Sequence, residues 1–338
     1  MTNRSVTMKD VAKLAGVSQP TVSYVINGTA SISPEVTERV LRAIEETGYQ
    51  PNAFAQNLKR SSSSTIAVLI PDLVNPYYAS VSQEIEQYLS QKGYFTYLAC
   101  SNSDPATEES YIKSFLQHKV SGILIFSLVN RQLYKLIANT GTPMVLLDDQ
   151  SNTFHLPYLH IRNQEGAMTA VEYLHDSGCQ KIGFVSEPLV KLSIKERWKG
   201  FEQIYKKYYP DNPADHAITL SCAGNTYRSG YDLAEKLLED GYDGLFVTSD
   251  FLACGLIKKL GALHVDIPEQ ISIIGYDGLY ISDLITPALS TMQQPISEIC
   301  HEGANMLLDI IHTGQYKQVQ ELRPTLLLRE TTKKLDPR

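Results

Sequence analysis

The sequence predicts a small all-α head followed by an α/β body made of two doubly wound parallel-sheet halves. Three observations lead there. In residues 1–64 the apolar side chains recur only at helical spacing, in three short runs. From Thr65 onward, apolar runs of strand length alternate with amphipathic helical runs, the pattern of parallel strands covered by helices. That alternation restarts near Asn163, so the body has two similar halves.

The head is read element by element. "TMKDVAKLAG" offers Thr7 as a cap, Val11, Ala12 and Leu14 as an apolar side, and Gly16 for a left-handed turn. "VSQPTVSYVING" opens on Ser18 as a cap, repeats Val22, Val25 and Ile26 at helical spacing, and stops at Asn27-Gly28. "SPEVTERVLRAIEETGY" has Ser33 as cap, Pro34 at the first helical position and Gly48 after its end, with Val36, Val40, Leu41 and Ile44 in helical register. One small core is expected from Val11, Leu14, Val22, Val25, Val40 and Ile44. Helix, tight glycine turn and second helix make a helix-turn-helix, whose second helix enters the major groove of DNA. The outward residues of that helix, Gln19, Pro20, Thr21 and Tyr24, are short or uncharged, which suits a surface lying against base edges. The same pattern also fits a plain helical hairpin.

Next comes "QPNAFAQNLKRSSSST". Asn52 to Leu58 suffices for two helical turns capped by Asn52, too short to be stable alone, and Ser61–Ser64 reads as a flexible linker. Such a segment suggests folding on binding.

In the body, "TIAVLIPD", "FTYLAC", "GILIFSL" and "PMVLLDD" read as strands of the first half, and "KIGFVSE", "AITLSC", "GLFVTSD" and "ISIIGYDG" as strands of the second. Ligands of such sheets bind beyond the carboxyl ends of the strands, and with two halves the natural site is the cleft between them. Asp148, Asp250 (with Ser249 beside it) and Asp277 end three strands, and Arg197 is placed at the start of the helix "RWKGF". Carboxylates that accept hydroxyl protons, a forked guanidinium and the rings of Tyr77-Tyr78 are chemistry suited to a sugar. Asn225, Tyr227 and Tyr276 are further rim candidates. The alternatives are structural: strand-end Asp148 and Asp250 as helix caps, Arg197 and Asp277 as a mutual pair, and Tyr77-Tyr78 and Trp198 as packing.

Composition narrows the classes. The net charge is −7, yet residues 1–64 carry seven basic against five acidic side chains, a slightly basic head on an acidic chain. The five cysteines are scattered without metal or redox spacing and read as buried hydrophobes of a reducing, cytoplasmic compartment. The N-terminus shows no signal-peptide pattern, and the apolar run near Val120–Val129 is shorter than the roughly 20 residues a bilayer needs. No dinucleotide fingerprint, P-loop or nucleophile elbow occurs, and His155 and His160 lack the spacing for zinc on one helix face. The expectation is a DNA-binding protein, not an enzyme, without cofactor or metal.

The run "VTMKDVAKLAGVSQPTVSYVINGTASISPEVTERVLRAIEETGYQPN" resembles the headpiece of the LacI/GalR family of bacterial transcription regulators. The resemblance implies that Gln19, Pro20 and Tyr24 read bases, while Ser18, Thr21, Ser23, Asn27 and Tyr49 contact backbone or hold the docking. It implies paired hinge helices in the minor groove, with Leu58 as a wedge and Lys59 and Arg60 at phosphates; the plainer reading packs Leu58 on its partner helix.

The body likewise resembles periplasmic sugar-binding proteins and the family's effector domain. The implied organisation is a head over residues 1–50, a hinge over 51–64 and a core over 65–333. The core splits into a first subdomain of about 65–161 and 293–322 and a second of about 162–292 and 323–333. By resemblance Arg197 and Asp277 are the most consistent effector contacts, and Asp148, Ser193, Ser249 and Tyr77-Tyr78 more variable ones.

The reading is a homodimeric repressor of a carbohydrate operon, with operator DNA and a small sugar or sugar phosphate as partners. A dimer without a tetramerisation helix is expected, since "TTKKLDPR" holds no leucine heptad. Two alternatives stay open: a catabolite-control regulator that takes a phosphorylated carrier protein as corepressor, and a purine-like effector. "SNSDPATEE" and "VSGILIF" resemble the first in places, but "LITPALST" lacks a basic residue for a phosphoserine.

The family commonly has Arg where this chain has Tyr24. Arg suits bidentate contact with guanine, whereas Tyr offers one hydroxyl and a ring edge. Tyr24→Arg is expected to move the preferred operator toward guanine at that position. Selection from a randomised duplex pool checks this, and identical preferred sites for both chains would refute it.

Overall fold

The computed structural model describes residues 6–27, 30–49, 64–149, 156–210, 217–219, 226–317 and 321–335. The chain divides into two compact units, Met1–Ser63 and Ser64–Arg338.

The first unit holds α1 (Met8–Ala15), α2 (Gln19–Asn27) and α3 (Pro34–Thr47). Thr7 and Asp10 close a reciprocal capping box ahead of α1, and Gly16 ends it at φ 66°, where other residues would be strained. Ser18 caps α2 by accepting the Thr21 N–H at 3.3 Å. Val11, Ala12, Ala15, Val22, Val40 and Ala43 form the core, with Val25, Val36, Ile44 and Tyr49 packed around it. Leu14, expected in that core, points to solvent and is 52% exposed. In so short a helix Met8, Val11, Ala12 and Ala15 define the only inward face, and Leu14 lies roughly a third of a turn away from its centre.

The second unit contains two sheets. The first runs β1 (Thr65–Ile70), β2 (Phe95–Cys100), β3 (Gly122–Phe126), β4 (Met144–Leu147) and β5 (Tyr158–Leu159) in spatial order β2-β1-β3-β4-β5, all parallel. Between these strands lie α4 (Pro76–Gln91), α5 (Pro105–Gln117) and α6 (Leu133–Thr140). The chain then passes to the second sheet through α7 (Asn163–Asp176), β6 (Ile182–Ser186), α8 (Leu192–Tyr208), β7 (Ala217–Thr219), α9 (Thr226–Glu239), β8 (Gly244–Val247) and α10 (Asp250–Ala262). It continues with β9 (Ser272–Asp277), α11 (Ile281–Leu284) and β10 (Ser290–Gln293). Next α12 (Ile296–Thr313) returns to pack on the first sheet, and β11 (Thr325–Leu327) closes the second. That sheet has the order β11-β10-β9-β8-β6-β7, parallel except for the β10–β11 pair.

Each sheet is apolar on both faces, as a helix-covered parallel sheet must be. Ile66, Val68 and Ile70 of β1 face the α4–α12 side, and Ala67 and Leu69 face the opposite side. The chain crosses between the sheets three times: near 161–163, after β10, and between Leu322 and β11. Two crossings are tied together, because Arg162 N–H donates to Leu322 O and Leu322 N–H to His160 O.

Helices α9 and α10 approach so closely that a Cβ on Gly255 would sit 2.0 Å from Tyr227 O. Neither backbone can yield, so Gly255→Ala is expected to destabilise the body by about 1–3 kcal/mol. Gly261 of the same helix has open space around it. Gly261→Ala should therefore be neutral or stabilising by about 0.5–1 kcal/mol. Urea denaturation of both variants checks the contrast, and equal effects would contradict the packing.

Candidate functional site

Both sheets point their carboxyl ends at one cavity. In the first sheet the strand order reverses beside β1, and the segment after β1 supplies Asn75, Tyr77 and Tyr78. Asn75 caps α4 by accepting the Tyr77 N–H, which fixes the two tyrosines at the helix start, edge to face at 5.1 Å. The end of β4 supplies Asp148. In the second sheet, the segment after β6 and the first turns of α8 give Glu187, Lys191, Ser193 and Arg197; the ends of β8, β9 and β10 give Thr248, Ser249, Asp277 and Gln294.

Arg197 is the centre of this arrangement and is 4% exposed. Its Nε donates to Asn163 Oδ1 at 2.9 Å, its Nη1 donates to Thr248 O at 2.7 Å, and its guanidinium lies 3.5 Å from the centre of the Tyr276 ring. Burial works to lower its pKa, but Tyr276, Asp277 and Asp148 together raise it. Asn163 in turn donates to Asp148 Oδ1 at 2.9 Å. Gln294 Nε2 donates to Asp277 Oδ1 at 2.6 Å. Burial pushes the carboxyls of Asp148 and Asp277 above the usual range, against the pull of Arg197. Both aspartates hold positive φ, 49° and 128°. Such strain in non-glycine residues costs about 1–3 kcal/mol each and concentrates at ligand sites.

Lys191 reaches across the mouth. Its ammonium is 3.2 Å from Glu187 Oε2 and 5.3 Å from the centre of the Tyr78 ring, so a second-sheet residue touches a first-sheet one. Burial lowers its pKa, but Tyr78, Glu187 and Asp72 more than compensate and it stays charged.

Of the residues singled out from sequence, Tyr77, Tyr78, Asp148, Ser193, Arg197, Ser249 and Asp277 line this one cavity. Asp250 does not. It is fully buried at the start of α10, where Oδ1 accepts from Thr291 Oγ1 and Oδ2 from the Leu279 N–H, a brace between β8, β9 and β10. The helix cap there is Ser249, whose Oγ accepts the Leu252 N–H. Arg197 sits in the second turn of α8, not at its start, because α8 begins at Leu192. Tyr276 supports Arg197 from beneath, Tyr227 packs near Phe251, and Trp198 packs between Phe184 and Phe201. Asn225 lies outside the described residues. Sequence reading missed Asn163, Lys191, Gln294 and Thr248, and no residue-type signal marks them.

In the head, Ser18, Gln19, Pro20 and Tyr24 are exposed, Thr21 is half-buried, and Ser23 is buried. Pro20 and Tyr24 are one turn apart on the outward side of α2, which suits them to a groove. Ser23 faces inward, and Tyr49 packs on the head core while remaining half-buried. Of Asn27 only the backbone, at the end of α2, is described. Asn52, Leu58 and Lys59 lie outside the described residues.

Among the described residues no group of three His, Cys, Asp or Glu side chains could hold a metal ion. No described helix is long and apolar enough to cross a membrane.

A helix-turn-helix head and a two-lobed body with a polar cleft define a class, the ligand-responsive DNA-binding regulators. Residues 7–52 match the model of the bacterial regulatory proteins of the lacI family, and residues 171–332 that of the periplasmic binding protein-like domain. The chain is 32% identical to the HTH-type transcriptional repressor PurR of Aliivibrio salmonicida over 97% of its own length and 99% of that protein's. It is also 32% identical to the ribose operon repressor of Halalkalibacterium halodurans, over 97% of each. A solved structure of the lac repressor dimer bound to operator and the anti-inducer ONPF superposes with a TM-score of 0.85 at 26% identity, covering 97% of this chain and 99% of that one. The chain belongs to the lacI family: it is a DNA-binding transcriptional repressor, not an enzyme.

Burial raises the Asp250 carboxyl from 3.8 to about 7. In that window the folded chain holds a proton that the unfolded chain has released, so stability falls as pH rises from about 4 to about 7. Asp250→Asn is expected to flatten this slope. Urea midpoints at several pH values check it, and a midpoint that climbs through the window in the parent chain would refute it.

Proposed function

We propose that the cleft binds a small, uncharged, polyhydroxylated effector, a monosaccharide, and that its occupancy sets the affinity of a homodimer for operator DNA. One observation carries this reading. Tyr77 Oη, Thr248 Oγ1 and Gln294 Oε1 line the cavity, are buried, and have no hydrogen-bond partner among the described residues. A buried polar atom left unpaired costs about 1–3 kcal/mol. Ligand hydroxyls, which both donate and accept, would satisfy all three.

Charge points the same way. The cavity's acidic side chains (Asp148, Glu187, Asp277) outnumber its basic ones (Lys191, Arg197), so a phosphate group would add negative charge beside buried acids. That supports a free sugar over a sugar phosphate. Tyr77 and Tyr78 offer ring surface for the apolar face of the sugar. A relative named ribose operon repressor agrees with this class. The PurR relatives favour a second reading, a purine base.

On DNA, we assign base reading to Gln19, Pro20 and Tyr24, with Ser18 and Thr21 at the backbone, in two copies on a pseudo-palindromic site. Asn52, Leu58 and Lys59 of the hinge segment are assigned to the minor groove and adjacent phosphates on the family resemblance. A repressor of this kind acts in the cytoplasm.

The test is operator binding at one fixed salt across free and phosphorylated pentoses and hexoses and purine bases. Salt is held constant because 6–10 phosphate contacts make affinity vary about 10³–10⁵-fold between 50 and 200 mM. A response confined to purines would replace the sugar reading. Arg197→Ala is expected to bring the ratio of operator affinities with and without effector to one, and an unchanged ratio would remove Arg197 from the site.

A further inference from the structure

Asn163 is fully buried at the first crossing between the sheets, and its amide is used on both sides. Nδ2 donates to Asp148 Oδ1, at the end of β4 in the first sheet, at 2.9 Å, and to Ile161 O at 3.1 Å. Oδ1 accepts from Nε of Arg197, on α8 of the second lobe, at 2.9 Å. Its own N–H donates to Ile161 O at 2.7 Å, and the neighbouring Arg162 N–H donates to Leu322 O on the third crossing. One neutral side chain thus joins a cleft carboxylate of one lobe, a cleft guanidinium of the other, and the strand that links them.

We propose that Asn163 is the positioning residue that couples the cleft to the crossings: a ligand that draws on Asp148 or Arg197 shifts the Asn163 amide, and with it the paired segments 160–163 and 321–323. This rests on the reading of the cleft as the effector site. The residue requirement is strict. An amide donates to the carboxylate while accepting from the guanidinium, which neither a carboxylate nor an apolar side chain of that size does. Asp in its place keeps the acceptor but sets a second carboxylate against Asp148. Leu keeps similar bulk and loses both bonds. Asn163 does not line the cavity, so its effect on ligand binding is indirect.

Two measurements on the full-length chain test this. The first needs no ligand: hydrogen exchange of the parent chain, Asn163→Leu and Asn163→Asp. Both variants should exchange about tenfold faster at the Arg162 and Leu322 amides, with protection in β1, β3, β6 and β8 unchanged. Unchanged exchange at the crossings overturns the proposal, as does a uniform loss of protection, which is ordinary destabilisation. Wild-type exchange in Asn163→Asp alone would also overturn it, since the bond to Asp148 would then carry nothing. The second measurement is operator affinity with and without D-ribose as the probe. The ratio should shrink at least about threefold in both variants, and a ratio equal to the parent's overturns the proposal. If the parent chain ignores D-ribose and every other ligand of the panel, the effector reading fails, and the exchange measurement still decides the role of Asn163.

Discussion

The body of this repressor depends on one buried polar cluster, a guanidinium near two acids at the meeting of two sheets. Arg197, Asp148 and Asp277 are all nearly inaccessible to water. An isolated charge at such depth costs several kcal/mol, and removing one member of a buried pair costs about 3–5 kcal/mol. The chain meets this demand with neutral partners: Asn163 and Thr248 O for Arg197, Asn163 for Asp148, Gln294 for Asp277, and the Tyr276 face beneath the guanidinium. Those partners come from both lobes and from the crossings, so the pairing of these groups and the contact between the lobes are one constraint.

The surrounding fold serves to hold these groups in strained positions. Asp148 keeps its positive φ because the next residue, Asp149, is clamped by Tyr134 and Arg131. Glu108, fully buried, accepts the N–H groups of Val129 and Asn130 and pins the segment after β3. Asp250 plays the matching part in the second lobe through Thr291 and Leu279. Three buried acids that bond local groups therefore support two that face the cavity. The acids that brace and those that face the cavity carry the same carboxyl group, and only placement separates their roles.

That identity explains what the sequence revealed and what it hid. Strand–helix alternation and helix caps are written in short-range patterns, so the two sheets, Gly16, Ser18 and Pro34 were legible. Strand-end aspartates were legible as a set, because the carboxyl ends of parallel strands converge. Their division was not: Asp250 turns away from the cavity because β9 and β10 offer it Thr291 and Leu279, a fact of register between distant segments. Leu14 was misplaced because an eight-residue helix has only one inward face and several apolar residues competing for it. Asn163 and Gln294 gave no signal at all, since an amide acquires its meaning only from what long-range folding sets on each side of it.

A polar cleft is also what a reversible switch requires. Lobes that closed over an apolar seam would gain about 25 cal/mol for each Å2 buried and would stay shut whether or not ligand was present. Here the facing groups are hydroxyls, amides and charges, which water solvates well when the lobes part. In this structure the lobes meet through the Lys191–Tyr78 contact and the Asp148–Asn163–Arg197 chain, and Tyr77 Oη, Thr248 Oγ1 and Gln294 Oε1 have no partner among the described residues. On the proposed reading of the cleft as the effector site, a ligand that pairs those atoms favours this arrangement of the lobes. A ligand shifts such an equilibrium only by its differential affinity for the two states, and coupling between sites typically amounts to 1–3 kcal/mol. Satisfying one or two of these buried atoms supplies a difference of that order.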